Sequence, residues 1–210
     1  MNILTIKRKV IRSAGFLRAS RSLSVCITGI GNPEPQFAFS RHNAGLLMLD
    51  LLKSQLLSSD KPYLPCNANR KVQRCQLGEV MLLRVDGDYI NLSGKSVVPL
   101  WNKLGTGIQH IVVHDELSLA VGKVQLRKPG TSVRGHNGLK DITKHFGGDF
   151  YRLAVGIGRP EQRDPDVVAK YVLSKFPRNE IGVIETESVH SAMHHLKKLL
   201  KNDITIPKRP

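Results

Sequence analysis

The chain has 210 residues, 40% of them hydrophobic and 23% charged, with a formal net charge of +15 and a pI near 10.0. That length builds one sizeable hydrophobic core and leaves little for a second. No run approaches the roughly 20 consecutive apolar residues of a membrane-spanning helix, which excludes such a span, and the basic excess points to a polyanionic partner.

Residues 1–25 hold six basic side chains, Lys7, Arg8, Lys9, Arg12, Arg18 and Arg21, and the first acid is Glu34. Leu4, Ile6, Val10, Ile11, Phe16 and Leu17 are scattered among them without an uninterrupted apolar core. This pattern fits a mitochondrial transit peptide and not a secretory signal. The competing reading is a disordered basic arm that touches RNA. We expect a leader over 1–23, one domain over 24–203 and a frayed tail over 204–210, which holds Pro207 and Pro210. The expected address is the mitochondrial matrix, with the cytoplasm as the second.

From residue 24 onward, short β-branched runs alternate with helical patterns, which predicts an α/β fold with a partly parallel sheet. In chain order, the pattern predicts a strand over 24–30 and a helix over 43–57, opened by Asn43 as a cap and lined by Leu47, Leu51 and Leu52. Segment 58–70, with Pro62, Pro65, Asn67 and Asn69, reads as a loop. A strand over 80–85, a helix over 93–104, strands over 110–114 and 123–127, a helix over 137–146 and a strand over 152–157 follow. Helices over 165–174 and 178–201 close the chain, the last marked by Val189, Met193, Leu196 and Leu200. The three cysteines, Cys26, Cys66 and Cys75, are odd in number and lack CxxC spacing, so neither a disulfide framework nor a zinc site is assigned.

The glycine turns GIGNPE at 29–34 and GIGRPE at 156–161 do not complete a dinucleotide fingerprint, and the chain has no phosphate loop, GxSxG elbow or HExxH pair. A hydrolytic reading must therefore rest on water activated by a side chain. The polar candidates fall in loops after strands, where α/β proteins place their sites. Asn32 follows the first strand, His42 lies at the mouth of the next helix, and Asp115 closes the apolar run Ile111-Val112-Val113-His114. Histidine near pKa ~6.5 takes a proton from water at neutral pH, and a carboxylate fixes its tautomer. We pair His42 with Asp115, because strand alternation sends His114 to the other face. Asn91 and Asn137 add amides that position water, a peptide carbonyl or an oxyanion. Each has a bland alternative as a cap, turn or solvated residue. The basic set Lys123, Arg127, Lys128, Arg134, Lys140, Lys144 and Arg152 reads either as a solvated face or as phosphate contacts.

Six ordered blocks resemble the bacterial-type peptidyl-tRNA hydrolases. They are Gly29-Ile30-Gly31-Asn32-Pro33, Arg41-His42-Asn43-Ala44-Gly45, Asn91-Leu92-Ser93-Gly94-Lys95, His114-Asp115-Glu116-Leu117, Arg134-Gly135-His136-Asn137-Gly138-Leu139 and Gly156-Ile157-Gly158-Arg159-Pro160. The resemblance spans about residues 24–200, and the variants Asn32-Pro33-Glu34-Pro35-Gln36 and Arg134-Gly135-His136 are similar to the eukaryotic organellar branch. It implies a monomer with a twisted mixed sheet flanked by helices, no cofactor or metal, and cleavage of the ester between peptide and tRNA. It further implies His42 as base, Asp115 as its partner, and Asn32 as the residue that separates blocked peptidyl-tRNA from free aminoacyl-tRNA. Asn91 and Asn137 become substrate and water ligands, and Phe37 and Tyr89 line the substrate site. Arg127, Lys128, Arg134 and Arg152 fall in the region of the clamp for the acceptor stem, beside a site for the CCA end. Ile90 replaces a common methionine, Phe37 a common tyrosine, and Thr131-Ser132-Val133-Arg134 a glycine run. Two rival readings are a non-catalytic RNA-binding protein on the same scaffold and an esterase for small N-acyl amino acid esters.

Overall fold

The computed structural model describes residues 23–55, 60–133 and 135–200. The leader (but for residue 23), the tail and Arg134 lie outside the described residues. Seven strands form one mixed sheet in the order β2-β3-β4-β1-β5-β7-β6. They are β1 (Val25–Ile30), β2 (Leu64–Cys66), β3 (Asn69–Leu77), β4 (Val80–Val85), β5 (Gln109–Glu116), β6 (Val124–Arg127) and β7 (Tyr151–Gly156). The central strands β4, β1, β5 and β7 run parallel, whereas β2, β3 and β6 pair antiparallel at the two sides.

The parallel strands are buried on both faces, which is why they read as continuous apolar runs. One face packs against α1 (Ala44–Gln55), α4 (Pro165–Leu173) and α6 (Val189–Leu200), through Met48, Leu49, Leu52, Val172, Ala192 and Leu196. The other packs against α2 (Ser93–Leu104) and α3 (Asn137–Phe146), through Val97, Leu100, Trp101, Leu139 and Ile142. Two glycines permit backbone contacts that shape the site end. A Cβ on Gly45 would meet the Val113 carbonyl oxygen at 2.4 Å, so the start of α1 lies directly on β5. A Cβ on Gly94 would meet the Asp141 carbonyl oxygen at 2.2 Å, which brings α2 against α3.

Three expectations are corrected. Segment 58–70 is not all loop, since Leu64–Cys66 and the start of β3 pair within it. β3 gave no periodic signal because its buried residues, Val72 and Cys75, are three apart and enter opposite cores. The helix expected over 178–201 is α5 (Arg178–Val183), a π turn at Ile184–Ser188 and α6, and the wider turn re-aims the apolar stripe so that Ala192, not Met193, is fully buried. Asn43 does not cap α1. It ends a 3-10 turn, Arg41–Asn43, and its side chain is used elsewhere. Among the described residues, no helix is long and apolar enough to cross a membrane.

Candidate active site

Because β4, β1 and β5 are parallel neighbours, the residues that follow them emerge at one edge of the sheet. Asn32 lies just beyond β1, the 3-10 turn Ile90–Leu92 follows β4, and Asp115 is the penultimate residue of β5. The turn carrying His42 is fixed above them by its flanking residues. Arg41 is buried, donates to the Ile157 carbonyl at 3.1 Å and pairs with Glu180, while its guanidinium covers the rings of Tyr171 and Phe176. His42 itself is partly buried, and its Nδ1 is 2.9 Å from Asp115 Oδ1.

The same carboxylate oxygen is 2.9 Å from Nε2 of His136, a residue that sequence reasoning passed over as the neighbour of Asn137. His136 is the N-cap of α3, and its Nδ1 accepts the Leu139 backbone N–H at 3.2 Å. An amide N–H can only donate, so Nδ1 of His136 carries no proton and Nε2 carries one, which it donates to Asp115. Asp115 thus receives two N–H groups, from His136 Nε2 and from His42 Nδ1. The basic nitrogen left on His42 is Nε2. Asp115 is only 3% exposed. Burial alone would raise its pKa, but the two imidazoles and their hydrogen bonds hold the carboxyl far below the ordinary carboxylate range. Burial likewise works against a charged His42, yet the Asp115 charge and hydrogen bond prevail and move its pKa above the usual histidine value.

The ligand atoms of His42, Asp115 and His136 lie within 4.8 Å of one another, a donor set of the kind that binds transition metals. The tautomers work against that use. A metal on His136 Nε2 would require the proton to leave, and moving it to Nδ1 would break the α3 cap. His114 is buried, with Nδ1 2.6 Å from the Asp115 backbone carbonyl oxygen. Its ring meets that of His136 at 5.1 Å and 81°, because His136 arrives over the strand end from α3.

Asn32, 3% exposed, accepts the Ile90 N–H on Oδ1 at 3.0 Å, so its amide Nδ2 remains as a donor. Ile90, in the place of the common methionine, is buried behind it. Phe37 and Tyr89, the two predicted aromatic positions, meet edge to face with ring centroids 6.2 Å apart, and Tyr89 is 52% exposed. Asn91 and Asn137 are exposed, the first in the 3-10 turn after β4 and the second as the first residue of α3.

The basic set divides. Lys123, Lys128, Lys140 and Lys144 are exposed, and Arg127 pairs with Glu116 at 2.7 Å while its Nε donates to Gln125. The expectation for Arg152 is corrected. It is 2% exposed, and its Nη2 donates to the Thr131 carbonyl, the Thr131 hydroxyl and the Ser132 carbonyl at 3.0, 2.6 and 2.9 Å. A buried guanidinium with its Nη2 on that loop is placed to hold the loop from inside the protein. The replacement of a glycine run by Thr131 and Ser132 supplies one of these acceptors, the Thr131 hydroxyl.

The family model for peptidyl-tRNA hydrolase matches residues 26–208. The chain is 44% identical to a peptidyl-tRNA hydrolase of Saccharomyces cerevisiae over 181 residues, covering 83% of this chain and 95% of that one. It is 36% identical to a peptidyl-tRNA hydrolase of Psychrobacter arcticus over 182 residues, covering 85% of this chain and 90% of the relative. The crystal structure of peptidyl-tRNA hydrolase from Acinetobacter baumannii superimposes with a TM-score of 0.68 at 32% identity, over 87% of this chain and 91% of that one.

Proposed function

The chain belongs to the peptidyl-tRNA hydrolase family and hydrolyses the ester bond of peptidyl-tRNA, and from that premise we propose how its residues do so. The observation that carries the mechanism is the His42 Nδ1 to Asp115 Oδ1 hydrogen bond of 2.9 Å, which leaves Nε2 as the basic nitrogen. His42 Nε2 takes a proton from water as the oxygen attacks the ester carbonyl. Asp115 stabilises the imidazolium that forms. The carbonyl is restored as the ester C–O bond breaks, and the imidazolium returns its proton to the departing ribose oxygen. General-base catalysis contributes typically about 10²–10⁴-fold and one oxyanion donor about 10²–10³-fold, a combination that needs no further nucleophile on the protein.

Asn32 selects the substrate by hydrogen-bond polarity. With Oδ1 engaged by Ile90, it offers only a donor. The carbonyl of a peptide or N-acyl group accepts from it, whereas the α-ammonium of free aminoacyl-tRNA has only protons to present. Asn91 and Asn137 bind water and substrate amides at the rim, and Phe37 with Tyr89 gives the peptide an apolar wall. Lys123, Lys128, Lys140 and Lys144, with Arg127 and Arg134, attract the acceptor stem through its phosphates, which carry little sequence information. The protein acts as a single-domain monomer, and residues 1–23 direct it to mitochondria. Transport of a reporter fused to residues 1–25 checks the address.

The test of the mechanism is His42→Ala. Turnover of an N-acetyl-aminoacyl-tRNA should fall by at least ~10², with tRNA affinity within about twofold of wild type. Turnover close to wild type removes His42 from the reaction, and absence of turnover in the wild-type protein restores the reading as an RNA-binding scaffold.

A further inference from the structure

The loop that carries Asn32 is tied to the sheet by a chain of polar contacts that the reaction itself does not use. Arg84, in β4, stands among three carboxylates. Its Nη2 donates to Glu34 Oε2 at 2.6 Å, its Nε to Asp50 at 3.2 Å, and its Nη1 pairs with Asp86. Of the three, only Glu34 belongs to the loop between Asn32 and His42. The other oxygen of Glu34 accepts from Asn43 Nδ2 at 3.4 Å. Asn43 is 1% exposed and grips the backbone of Asn32 at both ends: its Oδ1 accepts the Asn32 N–H at 2.8 Å, and its Nδ2 donates to the Asn32 carbonyl at 3.1 Å. The backbone N–H of Glu34 adds a bond to the Asp86 carbonyl at 3.1 Å.

We propose that Arg84, Glu34 and Asn43 form a truss that fixes the orientation of Asn32, which makes Glu34 and Arg84 positioning residues for the selection of N-blocked substrates. The proposal rests on the reading of Asn32 as a pure donor given above. Its physical basis is that an amide on a loop discriminates only while its Oδ1 stays on the Ile90 N–H. If the loop shifts by a fraction of an ångström, the amide is free to rotate and present Oδ1, an acceptor, to an ammonium. Asn43 holds the backbone of Asn32 from the fixed turn Arg41–Asn43 but does not brace the residues that follow Asn32. Arg84 is different. It is anchored in a central region of the sheet and shares its remaining donors between Asp50 in α1 and Asp86 just beyond β4. The truss therefore joins the selective residue to three separate elements, β4, α1 and the turn Arg41–Asn43.

Glu34 is the informative site for substitution, because it lines an open pocket of about 470 Å³ with Asp50, Tyr63, Arg84 and Asp86 and seals no core. The experiment measures kcat/KM for an N-acetyl-aminoacyl-tRNA and for the same aminoacyl-tRNA with a free α-amine, using the full chain, together with the pH profile and Tm. Glu34→Ala is expected to lower the ratio of the two by about tenfold, with the acid limb set by His42 unmoved, since misplacement of a positioning group costs rate steeply. Arg84→Lys, which keeps the charge and loses the fork, should act in the same direction. Asn32→Ala should lower the ratio at least as far, and adding Glu34→Ala to it should change nothing more. A ratio within twofold of wild type in Glu34→Ala, beside a collapsed ratio in Asn32→Ala, overturns the truss and leaves the reading of Asn32 standing. An unchanged ratio in Asn32→Ala overturns both. Additive losses in the double variant also overturn the truss, because Glu34 would then act by another route.

Discussion

His136→Asn separates two jobs that one imidazole performs. Asparagine is among the best N-cap residues, so it can still accept the Leu139 N–H and keep the start of α3. It is too short to reproduce the Nε2 donor that reaches Asp115 Oδ1 at 2.9 Å. In the native protein that donor satisfies part of the Asp115 charge, and what is satisfied by His136 is withheld from the His42 imidazolium. A hydrogen bond to a charged group is worth about 1.5–3 kcal/mol, and one pH unit corresponds to about 1.4 kcal/mol. If half of the bond is transmitted, the His42 pKa, already above the usual histidine value, rises by a further ~0.5–1 unit. With His42 as the proposed base, kcat/KM should fall as pH drops through that pKa, and the acid limb should move upward by the same ~0.5–1 unit. Activity at pH 9 should stay within about threefold of wild type, while activity at pH 7 falls further, as the limb shift requires. The assay is the pH–rate profile with N-acetyl-aminoacyl-tRNA, beside thermal unfolding at pH 8. An acid limb at the wild-type position with an unchanged Tm refutes the reasoning, because His136 would then be a cap and nothing more. A downward shift refutes it as well.

Asp115→Asn should abolish most turnover, by about 10²–10⁴-fold, and should also destabilise the fold by about 3 kcal/mol at pH 7, because both N–H donors lose a buried anion. The sign of the pH dependence follows from the depressed pKa of Asp115: its contribution is complete above the unfolded carboxyl value near ~3.9 and is lost as pH falls below that value toward the folded one. Unfolding of wild type and variant compared at pH 7 and pH 3 should show the gap narrowing in acid, and a constant gap would mean that the charge is not what stabilises. Arg152→Ala and Lys140→Ala should divide stability from binding. The first should cost about 2–4 kcal/mol of stability and leave the salt dependence of tRNA binding alone, whereas the second should leave stability within about 0.5 kcal/mol and lower the log–log salt slope by ~0.7–0.9. A salt slope that falls in Arg152→Ala would place its guanidinium on a phosphate after all.

Most of the architecture was legible because the parallel core writes itself as uninterrupted apolar runs. β1, β4 and β7 are buried at nearly every position, and the limits read for α2 and α3, 93–104 and 137–146, are those observed. β3 was illegible for the opposite reason. It lies on the antiparallel side of the sheet, buries only Val72 and Cys75, and surrounds them with Lys71, Gln73, Arg74 and Gln76, so neither the period of a half-buried strand nor a long apolar run exists to be read. The π turn at Ile184–Ser188 was hidden because one extra residue in a helix leaves the local propensities untouched and changes only which residues face inward.

The pairing of His42 with Asp115 was readable from residue type and position, but the role of His136 was not, because it depends on which atom is already occupied. The signal lay in Arg134-Gly135-His136-Asn137-Gly138, where a histidine directly precedes a helix and so stands where a cap is needed. A capping histidine is bound to one tautomer, and the nitrogen left over is bound to be a donor. Once that is recognised, a carboxylate becomes the expected partner, and Asp115, at the end of the neighbouring buried strand, is within its reach. The same logic separates Arg152 from the exposed lysines around it. Both are basic, but Arg152 starts from β7 inside the sheet, stays buried and gives its Nη2 to the Thr131 and Ser132 carbonyls, whereas Lys140 and Lys144 are exposed on α3. Charge in a sequence marks the partner of a protein only where the fold leaves that charge at the surface.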